Sequence, residues 1–476
     1  MISTTVLIFE GLVMHTTAME NTLAVQPVKK LIWAYAIPGI VSQLVNSLHN
    51  IVDQVFLGWT VGEFGIAATN IVFPISAIIT GFSVLIGMGT AARFSILLGK
   101  KQKSDAADVM GNGIALLLWV GVAIMLCTSV LLKPMLYLFG ATELILPYAQ
   151  SYARIICLGV PFGLFATGMS YLIRADGNPN YSSIVLLSGA VFNMVFDPIF
   201  LYMFHMGIEG VALATVLGQV LSSILALYYL LKKMCSISIS KSNLSLHLPI
   251  VGSILSLGAA LFSTHILALI AQVIQLNMLK HYGGLSVYGS EIALAAAGAV
   301  GKLSIVFLSS IIGIAIGTQP IIGFNLGNKT YGRVKETYLL ALRYGSTVAI
   351  IAYLLLQLFP SRLLMIFGSD DPRFIEFGIR YIRLCLAVLF LNAVQPTTAT
   401  FCTAMGKAKL GFWMSVIRQG ILLIPALLIF PLFWGIDGVL IAGAVSDGVA
   451  GFVALIIGLK QVRWLNKMKE EQKERA

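Results

Sequence analysis

Runs of about twenty apolar residues recur along the whole chain, and each is long enough to cross roughly 30 Å of hydrocarbon as a helix. A backbone in hydrocarbon must satisfy its N–H and C=O groups internally, which leaves α-helices for runs of this length. The runs fall at residues 31–57, 66–92, 112–133, 152–174, 181–203 and 209–231, then at 249–279, 291–319, 338–359, 379–405, 409–433 and 438–460. Charged residues make up only 11% of the 476, against about 25% in soluble domains. The fold class is therefore an all-α polytopic membrane protein with 12 transmembrane helices.

The net charge of +11 is explained by where the cations sit. With alternate loops assigned to opposite sides, one side collects Lys29, Lys30, Arg93, Lys100, Lys101, Lys103, Arg174, Lys232, Lys233 and Lys241. Lys329, Arg333, Lys335, Lys407, Lys409 and the tail from Lys460 to Arg475 join the same set. The other side holds few, among them Lys133, Lys280, Arg362, Arg373 and Arg380. The positive-inside rule then puts both termini in the cytoplasm of a cell membrane, and nucleic acid is not needed as a partner. The basic tail is also placed to touch anionic lipid.

An internal repeat divides the chain. Gly89-Thr90 and Leu98-Gly99 match Gly317-Thr318 and Leu326-Gly327 at a shift of 228, as Phe139-Gly140 matches Phe367-Gly368. Tyr152-Ala153-Arg154 matches Tyr381-Ile382-Arg383 at 229, and Gly207-Ile208-Glu209-Gly210 returns as Gly435-Ile436-Asp437-Gly438. Two homologous six-helix lobes follow. An even number of crossings gives them the same orientation, so an axis along the membrane normal relates them and the substrate path runs between them. The expected layout is a cytoplasmic tail at 1–28, lobes at 29–232 and 249–460, a linker at 233–248 and a basic tail at 461–476. Residues 1–21 hold apolar pieces too short to span and no cleavable-signal pattern, so Met14 and Met19 are alternative starts to Met1.

The most unusual stretch is Asn193-Met194-Val195-Phe196-Asp197-Pro198 in the fifth run. A carboxylate in hydrocarbon costs about 2.5–3.5 kcal/mol. The i, i+4 spacing stacks Asn193 and Asp197 on one face, and Pro198 removes a backbone donor from the turn. Together these offer oxygen ligands to a proton or a hard monovalent cation. A helix end capped at the membrane surface is the alternative. The five cysteines show no metal or disulfide spacing and read as small core residues. Ala296 to Lys302 imitates a phosphate loop but lacks its first glycine, with Leu303 where Ser or Thr is required. No zinc-peptidase or serine-esterase motif occurs, so an enzyme is not expected.

Ile37-Pro38-Gly39 through Asn50-Ile51-Val52-Asp53-Gln54-Val55-Phe56-Leu57-Gly58 resembles the opening of the multidrug and toxic compound extrusion (MATE) family. The stretch from Asn193 to Pro198 is similar to its fifth helix. Thr318-Gln319-Pro320 through Gly327 and Ser415-Val416-Ile417-Arg418-Gln419 resemble its MepA/DinF-like branch. The likeness covers about residues 23–460. It implies a V-shaped pair of lobes and efflux of small, mostly cationic amphipathic compounds, coupled to H⁺ or Na⁺ without a further cofactor. A lipid-linked sugar flippase of the same superfamily is the alternative. A monomer in the lipid bilayer is expected. Another branch of the family uses acids in the seventh and tenth helices, and residues 249–279 and 379–405 contain none.

Depth counting supports a site in the first lobe independently. Asp53 and Asp197 each lie a few residues before the outer ends of their helices, and Thr215 lies about as far into the sixth, so at 1.5 Å per residue they share a level. The repeat mates of Asn193, Asp197 and Thr215 are Leu422, Ala426 and Gly443, which offer no ligand oxygens. The cation-coupling set is thus Asp53, Asn193, Asp197 and Thr215, with Pro38 and Pro198 as candidate kink or gating positions. In the second lobe Arg418 and Asp447 fall on adjacent antiparallel helices. They form either a structural pair or a substrate contact.

Overall fold

The structure, a computed structural model, describes residues 22–61, 63–234, 236–237, 239–365 and 371–474. The N-terminal tail with its alternative starts, Cys235 and part of the Phe367-Gly368 match lie outside them. The first lobe comprises α1 (Val28–Thr60), α2 (Glu63–Gly99), α3 (Lys103–Val130), α4 (Leu146–Ala175), α5 (Pro179–Pro198, continued by a π turn, Ile199–Met203) and α6 (Ile208–Lys232). The second comprises α7 (Leu248–Gly284), α8 (Ser290–Gly327), α9 (Tyr331–Leu358) and α10 in two pieces, Pro372–Cys385 and Val394–Ala404. It ends with α11 (408–434) and α12 (436–474), divided at Gly435, whose φ of 55° makes the turn. Among the described residues nine helical stretches are long and apolar enough to cross a membrane. Adding α1 and the broken α10, and dividing the last stretch at Gly435, gives twelve crossings.

Several expectations need correction. The third helix begins at Lys103, nine residues before the expected 112, and ends at Val130, where a short helix, Leu132–Leu138, takes over. Hydropathy marks only the hydrocarbon, whereas α3, α2 and α8 project into water and are held there by packing. The tenth run, expected to be one helix, is interrupted between its two pieces, where Asn392 and the Gln395-Pro396 pair disfavour continuous helix. The tail after 460 is not separate but continues α12 to Glu474. Of the cysteines, Cys157 and Cys402 are buried, but Cys127 is exposed and Cys385 half-buried.

The linker between the lobes is tied to the first of them. Asn112 on α3 accepts from the His247 amide at 2.8 Å, and Asn243 donates to Asp108 at 2.7 Å. The buried Asp176 carboxylate after α4 takes the Tyr229 hydroxyl at 2.7 Å and the Ser236 amide at 3.0 Å. These bonds, with those from Arg333 to the Leu23 and Gln26 carbonyls at 2.9 and 2.6 Å, gather the lysine-rich loops on one face. On the opposite face Tyr288 meets Glu376 at 2.9 Å and Arg380 meets Asp437 at 2.7 Å.

The lobes meet through α1 and α2 of the first and α7 and α8 of the second. A methyl group added at Gly258 on α7 would overlap the Leu85 carbonyl of α2, and one at Gly39 on α1 would stand 3.1 Å from the Gly313 carbonyl of α8. Gly89 against the Ile254 carbonyl repeats in Gly317 against the Tyr35 carbonyl, 2.9 Å away. Residues 85 and 89 map onto 313 and 317 by the 228 shift, while 254 and 258 map back onto 35 and 39 by 219. Exchange of partners, α2 on α7 for α8 on α1, is what a two-fold axis along the membrane normal produces. All these approaches lie in the halves of the four helices nearer the lysine-rich face, where Gln319 also donates to the Met88 carbonyl at 3.0 Å.

Candidate functional site

The local sequence explains how α5 presents its acid. Asn178 caps the helix by accepting from the Tyr181 amide at 3.1 Å, and Pro179 occupies the first turn, where its missing donor costs nothing. At the far end Pro198 cannot donate to the turn before it, and the helix widens into the π turn. Rings of Phe192, Phe196 and Phe200, with centroids 4.1 and 5.7 Å apart, form an apolar wall along one side of this segment. Asn193 and Asp197 lie on the buried side, 1% and 0% exposed.

There Asn193 Nδ2 donates to Asp197 Oδ1 at 3.1 Å and to Thr215 Oγ1 of α6 at 3.0 Å. Thr215 in turn donates to the Val211 carbonyl at 3.0 Å, so its remaining lone pair is free to accept. Asp53 of α1 comes within hydrogen-bond reach of Asp197. All four expected residues are therefore brought together by three helices, and the surface-cap alternative for Asp197 is excluded by its burial. Three oxygens in the group, Asp53 Oδ1, Asn193 Oδ1 and Asp197 Oδ2, are buried without a hydrogen bond. Two carboxylates cannot bond each other, but a proton shared between them supplies the missing bond and a monovalent cation supplies the missing ligand.

Two members escaped the sequence reading. His49 stands one turn before Asp53, its Nδ1 3.2 Å from Asp53 Oδ1 but not aligned for a hydrogen bond. Both side chains are 15% exposed, which makes α1 the open edge of an otherwise closed group. Tyr152 of α4 lies beside Thr215 and within electrostatic range of both acids. The i−4 offset marked His49, and Tyr152 belongs to a repeat match, but a lone histidine or tyrosine in an apolar run usually reads as core.

In the second lobe the corresponding positions carry no acid. The 219 shift takes Asp53 to Gln272, and Tyr381, the mate of Tyr152, accepts from Gln275 at 2.9 Å. Polarity appears instead nearer the lysine-rich face. Arg418 Nε donates to Asp447 Oδ1 at 2.8 Å and Arg418 Nη2 to Asn392 Oδ1 at 3.3 Å. A π segment in α11, Val416–Leu423, and the break in α10 supply two of these partners. Their first-lobe mates are Gly189, Gln219 and Gly163, where α5 packs so closely on α6 that an added methyl at Gly189 would strike Ser222 and Gly218. The ion pair thus takes the place of the glycine that lets α5 and α6 pack backbone to backbone in the first lobe. A charge left without its partner in hydrocarbon costs about 2.5–3.5 kcal/mol, whereas replacing both members of this half-buried pair by apolar groups removes both charges. Asp447→Leu alone should therefore lower the melting temperature far more than Arg418→Met/Asp447→Leu together. Equal losses would show that the pair is not a structural element.

Comparison with known proteins adds the lineage. The MatE family model matches residues 38–199 and 269–429. The multidrug export protein MepA of Staphylococcus aureus (strain N315) is 23% identical over 432 residues, covering 90% of this chain and 93% of that protein. MepA of Staphylococcus haemolyticus is 23% identical over 429 residues, covering 90% and 92%. Among solved structures, a multidrug resistance MATE transporter in an outward-facing conformation superposes with a TM-score of 0.87 at 22% identity, covering 94% of this chain and 98% of that one. A MOP superfamily transporter from Pyrococcus furiosus gives 0.86 at 22% identity, over the same shares.

Proposed function

This chain belongs to the MATE family, and from that membership we propose that it is a secondary-active exporter of small, mostly cationic amphipathic compounds in exchange for H⁺ or Na⁺. The observation that carries the coupling is the Asp53–Asp197 pair in the first lobe, where each carboxylate holds a buried oxygen without a hydrogen bond. The named relatives are multidrug export proteins, which supports the substrate class. The lysine-rich face is the cytoplasmic one, with both termini on it, because cations are retained on that side. Closure of the inter-lobe seam on that face corresponds to a state open to the outside. The six-helix units at 29–232 and 249–460 are the rocking bodies, with Pro38 as the bend in α1.

Loading the pair with one ion removes one of its two negative charges and favours closure of the apolar wall of α5 around it, while the empty, doubly charged pair favours hydration and opening. Ion entry and drug exit are then coupled through one lobe. The test is efflux of a fluorescent organic cation from sided vesicles under separately imposed H⁺ and Na⁺ gradients. Movement driven by at least one gradient is expected, and Ser104→Cys should label only from the cytoplasmic side. Gradient-independent leakage in both cases would refute the antiport reading.

A further inference from the structure

We propose that the lysine-rich face carries a binding site for the headgroup of an anionic phospholipid, set between the start of α9 and the helical tail of α12. A groove of about 390 Å³ opens there, lined by Gly332, Lys335, Glu336, Leu339, Leu340 and Arg343. Lys335, Leu339 and Arg343 follow at four-residue spacing and share one helical stripe. Leu339 is 42% exposed and floors the groove with apolar surface. All six lining residues belong to α9, and the tail of α12 meets the groove at its N-terminal end. Lys335 is tethered by a 3.0 Å bond to Asn466, and the Lys469 ammonium lies 3.6 Å from where a Cβ on Gly332 would stand.

Arg343 makes the case specific. It lies five residues past the start of the apolar run at 338, about 7 Å inside the hydrocarbon. Its side chain is exposed, and among the described residues its guanidinium has no hydrogen bond or ion pair. A cation at that depth needs an anion or must reach the phosphate layer. Side chains lean toward the helix N-terminus, and α9 starts on the lysine-rich face, so Arg343 leans back along the groove toward Leu339 and Lys335. The neighbouring Tyr344 packs at a tilt against Trp33 of α1 with ring centroids 4.9 Å apart, an aromatic pair suited to the interface.

Lys335 and Arg343 line the groove with one carboxylate, Glu336, and Lys469 stands beside Gly332 at its end, so the groove favours an anionic headgroup over a zwitterionic one. Arg333 does not contribute, being committed to the Leu23 and Gln26 carbonyls. A groove with an apolar floor, opening at the level of lipid phosphates, takes a membrane lipid rather than a free anion. Such a lipid would also fasten the tail helix to α9.

Native mass spectrometry and thermal melting of the purified full-length chain, with added phosphatidylglycerol, phosphatidylcholine or inorganic phosphate, test this. Phosphatidylglycerol should bind selectively and raise the melting temperature. Arg343→Gln and Lys469→Gln should each weaken its binding about fivefold, as expected for one basic residue near an anionic surface. Arg362→Gln, on the opposite face, should leave binding unchanged, which controls for loss of charge alone. Phosphatidylglycerol binding no tighter than phosphatidylcholine, undiminished binding by the Arg343→Gln/Lys469→Gln variant, or equal stabilisation by inorganic phosphate would each overturn the proposal.

Discussion

Asp197→Asn should abolish gradient-driven efflux, by about two orders of magnitude or more, while the protein still reaches the membrane. The size follows from what the residue does. Moving a two-state carrier from one predominant state to the other takes a differential binding energy of about 5.5 kcal/mol, and an amide that cannot lose a proton or bind a cation as tightly cannot supply it. Asp53→Asn should do the same, because the site is a pair and one charge left alone has no partner to repel. Asn193→Ala and Thr215→Ala each remove one neutral ligand, and Tyr152→Phe removes a hydroxyl beside Thr215. A hydrogen bond to a charged group, as from Asn193 to Asp197, is worth about 1.5–3 kcal/mol, and one between neutral groups, as at Thr215, about 0.5–1.5 kcal/mol, so these variants should lose part of the rate and keep the coupling. The measurement is vesicle efflux normalised to protein in the membrane. Full active transport by the Asp53→Asn/Asp197→Asn double variant would move the coupling site elsewhere, with Arg418–Asp447 as the remaining intramembrane charge pair.

The residues of this site were legible because hydrocarbon is a strict solvent. An acid there needs a reason, and helical rise converts residue number into depth, so Asp53, Asp197 and Thr215 could be put at one level without coordinates. The same counting failed for His49 and Tyr152, whose presence in an apolar run carries no penalty and hence no signal. Helix ends were misplaced wherever packing extended a helix beyond the lipid. α2 runs to Gly99, not to 92, because its last turns lie against α8, with Gly99 on the Phe324 carbonyl and Gly327 on the Ile96 carbonyl. Hydropathy contains no record of that contact. The repeat did contain it, since the matched glycines at 89 and 317 and at 99 and 327 are the positions of close inter-lobe approach.

Those glycines lead to the second large effect. Gly89→Ala and Gly258→Ala should disable transport without touching the acids. At Gly258 a methyl would overlap the Leu85 carbonyl, and at Gly89 one would overlap the Ile254 carbonyl. Backbone cannot yield as a flexible side chain does, so α2 and α7 must separate. Overpacking of this kind costs about 1–3 kcal/mol, and here the cost falls mainly on the state in which the seam is closed. A bias of about 2 kcal/mol against one of two states shifts their ratio roughly thirtyfold. The variants should therefore accumulate in the state with the lysine-rich face open, and turnover should fall while ion binding at Asp53–Asp197 persists. Gly252 is the control, because an added methyl on that turn of α7 meets nothing within 4 Å, and Gly252→Ala should transport normally. Cysteines introduced at Leu85 and Ile254 would report the opening by a faster reaction with a thiol reagent added from the lysine-rich side. If Gly258→Ala leaves both that reaction and the efflux rate at wild-type values, the glycine seam is only packing, and the closed state is held by contacts other than those of α2 and α7.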